Sequence, residues 1–257
     1  MRQIYGTSSG RLIAIDRADV AIESGMNDFG GKLWVDSRDL FQLAHNTTVA
    51  SWPARRGAAP VQAVPGQQPL FDRDSGYVVF DGVDDVMNCV PDMSTTDKAT
   101  VIVTSYSNLP ASTRVVFEYT ANYNANDGLI VTSNNQRLSF GVHLGANYVL
   151  RLDAATTAGR KVVFGGRFDG AVAAPNDFID TWKVDPGVTG EITAFATQLD
   201  ANTAINFAAA NSYLGARMGG AASLNGGISE FMLFSEKVPD LAHQELLRHA
   251  AIKAGLL

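Results

Sequence analysis

Residues 76–90, GYVVFDGVDDVMNCV, decide how this chain is read. Two apolar runs, 77–80 and 86–90, flank the acidic knot DGVDD. Val, Phe and Tyr suit a pleated, half-buried strand. Asp81-Gly82 is a turn dipeptide, because Gly accepts positive φ and Asp bonds its own backbone. The stretch therefore predicts strand, turn, strand, with Asp84 and Asp85 exposed at the turn. Two other readings attach to the same residues. Calcium takes several oxygen ligands, and Asp81, Asp84 and Asp85 are close enough to contribute one or two each, although their spacing is not that of an EF-hand loop. A retaining glycosidase needs two facing carboxylates, whereas the adjacent Asp84 and Asp85 would point to opposite sides of a strand.

The rest of the chain repeats the pattern. Runs such as ATVIVTSYS (99–107), RVVFEYT (114–120), RLSFGVHL (137–144), KVVFGGRF (161–168) and GISEFMLF (227–234) are rich in Val, Ile, Phe, Tyr and Thr. Asn, Gly, Asp and Pro fill the gaps. That spacing predicts an antiparallel sandwich or barrel. Several runs are apolar at consecutive positions, as strands covered on both faces are. The clear helix signal is the tail, VPDLAHQELLRHAAIKAGLL, with Pro239 and Asp240 suited to a first turn and Gly255 to a stop. A helical turn also fits DSRDLFQL (36–43). Residues 1–31 show alternating apolar residues outside the series and are assigned to an N-terminal arm, an added strand pair or docking segment. Residues 32–257 form the main domain.

The 257 residues carry a net charge of -6 and no Lys/Arg cluster longer than a pair, which argues against nucleic acid as a partner. No apolar run approaches 18 residues, so membrane insertion is not expected, and the N-terminus lacks the apolar core of a signal peptide. Cys89 stands alone, in a strand, with nothing to lower its pKa.

Three ordered segments resemble the concanavalin A-like (LamG-type) lectin/glucanase family. LWVDSRDLFQLAHNTTVASWPARRG resembles its opening, YVVFDGVDDVMN its Phe-Asp-Gly-x-x-Asp strand-turn, and LNGGISEFMLFSEKVPDLAHQELLRHAAIKAGLL its close. Ala54 stands about where the family often has Asp. The resemblance covers residues 32–257. It implies an all-β fold, a two-sheet antiparallel jelly-roll sandwich with a short C-terminal helix. Such domains occur in bacteriophage virion proteins and secreted bacterial proteins.

The glucanase string Glu-x-Asp-x-x-Glu is missing, so the expectation is a non-enzymatic surface protein. Its setting is a virion tail fibre, tail tip or head decoration, binding a host-surface glycan, docking on other virion subunits and forming homo-oligomers. The alternatives are a glycoside hydrolase or lyase acting on surface polysaccharide, with acids from separate strands such as Glu118 with Asp153 or Asp169, and a secreted bacterial adhesion module at the cell surface. Glycan contact is expected in the loop ANYNANDG, at Asn122, Tyr123, Asn124, Asn126 and Asp127, whose amides, carboxylate and ring suit a sugar but also a plain hairpin turn. Calcium at Asp81, Asp84 and Asp85 is the one cofactor considered. Glu118 and Glu230 are carboxylates inside apolar strands, each expected to be paired structurally, Glu118 with Arg114 or Arg137. Trp34 and Trp52 are expected to pack in the core.

Overall fold

The computed structural model describes residues 3–4, 14–15, 17–94, 96–108, 113–120, 128–134, 137–144, 147–155, 158–170, 179–184, 192–198, 207 and 210–257. Its elements run β1 (Gln3–Ile4), β2 (Ala14–Ile15), α1 (Arg17–Asp28), β3 (Gly31–Asp36), β4 (Thr47–Thr48), β5 (Ala54–Arg56), β6 (Leu70–Asp72), β7 (Tyr77–Asp81), β8 (Met87–Cys89) and β9 (Lys98–Ser107). They continue with β10 (Arg114–Tyr119), β11 (Leu129–Asn134), β12 (Arg137–Leu144), β13 (Asn147–Ala155), β14 (Val162–Asp169), β15 (Ile179–Val184), β16 (Ile192–Gln198), β17 (Ser212–Leu214), β18 (Asn225–Phe234) and α2 (Asp240–Lys253).

Two antiparallel sheets make a sandwich. One has the order β13-β12-β11-β10-β17-β8. The other runs β16-β15-β14-β9-β18-β7-β6-β4, with β3 on β18 and β5 on β3. Strand β18 pairs with β9 along one edge; along the other it meets β7 at its start and β3 at its end.

Period-two alternation sorts the side chains. On the larger sheet Val78, Phe80, Val101, Val103, Phe231 and Leu233 face the smaller sheet, where Phe117, Val131, Phe140 and Leu214 meet them. The opposite face carries Trp34, Ile102, Val163, Met232 and Phe234, covered by Leu246, Leu247, Ala250 and Ala251 of α2 and by Ile22 and Met26 of α1. Consecutive apolar residues in β9 and β14 thus serve two cores. The Gly pair in FGGRF serves the same geometry. A Cβ on Gly165 would sit 2.5 Å from His243 Nε2 of α2, and one on Gly166 would sit 2.4 Å from Phe140 Cγ of the other sheet.

The tail helix starts at Asp240 after Pro239 and stops before Gly255, whose φ is 70°. The turn expected in DSRDLFQL is a 3-10 turn, Ser37–Leu40, capped by Asp36, which accepts a hydrogen bond from the Arg38 N–H. In the stretch set apart as an arm, β1 and β2 pair antiparallel, as an added strand pair would, and residues 17–28 form a helix. Ala18, Val20 and Ile22 alternate on paper, but Ala18, Ile22 and Met26 repeat every four residues. The helix buries that stripe and leaves Val20 52% exposed. Among the described residues no helix is long and apolar enough to cross a membrane.

Candidate functional site

Strand register lines up Val163 of β14, Thr104 of β9, Glu230 of β18 and Asp36 of β3 on the outer face of the larger sheet. Helix α2 covers the apolar part of that face and ends at Lys253. Where it ends, a cleft of about 260 Å³ opens over the polar part of the row. Thr104, Glu230 and Asp36 line it from the sheet, and Ala250, Lys253 and Ala254 from the helix. The turn before β7 adds Ser75, Gly76 and Tyr77; Phe41 and Lys161 complete the rim. Phe41 is 43% exposed, its ring tilted 48° against Phe71 at 5.7 Å, so part of the ring is open beside the polar floor.

The floor is a buried charge network. Lys253 Nζ donates to Glu230 Oε1 and lies 2.8 Å from Asp36 Oδ2 and 3.0 Å from Asp19 Oδ1 of α1. Trp34 Nε1–H donates to the same Glu230 oxygen at 3.0 Å. Arg38 grips Asp36 through Nε and Nη2 and reaches Asp19 at 2.5 Å. Arg55 joins Asp19 and Asp39 at 3.1 and 2.7 Å. Two cations lie over the Trp34 ring, Arg55 at 5.0 Å and Lys253 at 5.3 Å from its centroid.

The carboxylates differ in proton affinity. Burial pushes Asp36 up, but Lys253, Arg38 and Arg55 outweigh it and hold the group well below the usual carboxylate range. Burial pushes Glu230 up, and the neighbouring Asp36 charge adds to it against Lys253. Lys253 itself is raised: burial would lower it, and Glu230 and Asp36 prevail. Asp36 and Glu230 therefore flank one ammonium with opposed proton affinities.

At the acidic knot, Asp81 Oδ1 accepts from Val83 N–H at 2.7 Å and Gly82 has φ 82°, a side-chain-supported turn. Asp85 differs from the expected exposed turn residue: it is 5% exposed and accepts from Asp81 N–H at 2.9 Å. Burial, with Asp81 and Asp84 close by, pushes its carboxyl up to about 6. Carboxylate oxygens of Asp81, Asp84 and Asp85 all lie within 4.8 Å of one another, so the fold brings the three candidate ligands together. A second group, His45 with Asp72 and Asp74, is equally close. This group was not among the sequence candidates.

Asn122, Tyr123, Asn124, Asn126 and Asp127 lie outside the described residues. Glu118 is buried, as expected, but its partners are Arg217 Nε at 3.4 Å and the Met218 N–H at 3.1 Å. Arg114 instead donates to the carbonyls of Gly82 and Ser223. Trp34 and Trp52 are 4% and 0% exposed and pack in the two cores. The cleft was not legible because its groups come from six separated segments, joined by register rather than by spacing.

No family model and no curated protein matches the chain. Among solved structures it superposes on a Trypanosoma rangeli sialidase in complex with sialic acid. The TM-score is 0.55 and the identity 12%, over 97% of this chain and 36% of that one. The same sialidase with 2,3-difluorosialic acid gives 0.53 and 12%, over 87% and 33%. The likeness is one of fold, and the chain spans about a third of the sialidase's length. The match agrees with the two-sheet sandwich and shows no concanavalin A-like family. They overturn one expectation: the chain was read as non-enzymatic, and the structures that match it over most of its length are enzymes. The missing glucanase string excluded only carboxylates on one strand, and Asp36 and Glu230 come from two.

Proposed function

We propose that the protein handles glycans, seating a saccharide unit in the cleft at the end of α2. The observation that carries this reading is the juxtaposition of an exposed aromatic face, Phe41, with hydroxyls and cations around one concavity. Its volume lies just below the ~300–1,000 Å³ of small-molecule sites, which suits one sugar unit better than a long chain. The match to sialidase structures supports a glycan-related role by analogy of fold. The test is a binding titration of purified protein with oligosaccharides from surface polysaccharides, comparing the native chain with Phe41→Ala. Saturable binding weakened about tenfold in Phe41→Ala supports the reading, and binding to none of them refutes it.

The opposed carboxylates favour a second reading, hydrolysis of the bound glycan with Asp36 and Glu230 as the pair. Release of reducing sugar that Glu230→Gln abolishes supports it, whereas binding without release, under conditions where the protein is folded, rejects it.

The setting on a virion or cell surface, with other virion subunits and homo-oligomers as partners, is proposed on the sequence resemblance. Calcium at Asp81, Asp84 and Asp85 is proposed on their convergence, and a rise in Tm with calcium that a chelator reverses is its test.

A further inference from the structure

The electrostatics of the cleft rim carry the functional reading one step further, and this step rests on that reading. The buried floor is nearly self-neutralising, with Asp19, Asp36, Asp39 and Glu230 set against Arg38, Arg55 and Lys253. Lys161 is different. It lies on the rim of the same cleft, and among the described residues no carboxylate pairs with it. Its Nζ sits 4.8 Å from the centroid of the Tyr77 ring, which also lines the cleft. That contact fixes where the ammonium lies and leaves its three N–H donors without an acceptor.

A second group points the same way. The Thr104 hydroxyl is buried beneath the cleft with no hydrogen-bond partner. A buried polar group without a partner is costly, and such groups are few in a native fold. Both Asp36 oxygens and Glu230 Oε1 are already engaged by Arg38, Lys253 and Trp34. What the cleft has left to offer is therefore mainly donors: an ammonium, a hydroxyl and the remaining Arg38 N–H. A ligand that satisfies it must bring acceptors and negative charge.

We infer that the cleft selects an acidic saccharide, with the anionic group of the sugar held by Lys161 and one of its oxygens met by the Thr104 hydroxyl. Phe41 takes the apolar face of the ring. Lys161 is the specificity-determining residue, because a charge-assisted hydrogen bond to a carboxylate is stronger than one to a neutral hydroxyl, and a neutral sugar leaves the ammonium unmatched.

The experiment uses the full chain and a panel of oligosaccharides ending in glucuronate, galacturonate or sialate, each paired with its neutral counterpart, in titrations at low and at raised salt. The expected result is that at least one acidic member binds about tenfold or more tighter than its neutral partner, and that raised salt weakens only the acidic one. Lys161→Met brings the two members of the pair to similar affinity, and Lys161→Arg keeps the preference. Thr104→Val weakens the acidic ligand severalfold without lowering Tm. Neutral and acidic members binding alike, or a preference that survives Lys161→Met, overturns the inference and leaves glycan binding standing. Binding by no member overturns both.

Discussion

Asp85 is a single residue whose behaviour follows from its position. Its carboxylate accepts from the backbone of Asp81, yet burial and two neighbouring carboxylates raise its pKa to about 6 from the ordinary aspartate value of 3.8. Between those two values the native state binds more protons than the unfolded one. Stability from this group is therefore greatest near pH 4 and is lost as pH rises through 6. Asp85→Asn keeps an acceptor for the Asp81 N–H and removes the charge. It is expected to raise Tm at pH 7.5 and to leave it nearly unchanged at pH 4, which thermal melts at both pH values check. The sequence showed the turn clearly, because Asp81-Gly82 encodes it locally. It did not show that Asp85 is buried, because that depends on what lies across from it.

At the scale of the element, α2 and β14 decide the packing of the outer face. His243 of α2 is 0% exposed, both ring nitrogens lack partners, and it stacks edge-on to Trp182 at 5.9 Å. Burial, helped by the Arg167 guanidinium, pushes its pKa well below the usual 6.5. Below about pH 6.5 the unfolded chain takes up a proton that the native state refuses, so stability falls as pH drops from there. His243→Leu is expected to flatten the loss between pH 6.5 and 5, as read by chemical denaturation at several pH values. On the other side of β14, Gly166 lets the two sheets approach. Gly166→Ala places a methyl against the Phe140 ring and is expected to cost about 1–3 kcal/mol, measured the same way. The tail helix was readable from Pro239, the Leu and Ala stripe and Gly255. Helix α1 was not, because its apolar residues satisfy both a period of two and a period near four, and only the presence of α2 beside it selects the second.

For the whole molecule, the network under the cleft joins pieces distant in sequence. Asp19 belongs to α1, Trp34 and Asp36 to β3, Arg55 to β5, Glu230 to β18 and Lys253 to α2. Removing Lys253 would leave two nearly buried carboxylates facing each other. Lys253→Met is thus expected to destabilise the protein by about 3–5 kcal/mol, the usual cost of breaking a buried pair from one side. Lys253→Met with Glu230→Leu should recover part of that loss, and a double-mutant cycle of urea melts measures it. A cycle with no coupling would show that the two residues act independently. The sandwich itself was legible from strand spacing and turn residues. The cleft was not, because Thr104 looks like any strand threonine until register sets it beside Glu230 and Asp36.

The central claim is that the concavity at the end of α2 is where a saccharide sits. Hydrogen exchange of the full chain, with and without the tightest-binding oligosaccharide of the panel, tests it most directly. Slowed exchange is expected in segments 36–41, 75–77, 104–106 and 250–254, around the cleft. Protection confined to the 81–85 turn or to the smaller sheet, with those segments unchanged, would contradict it.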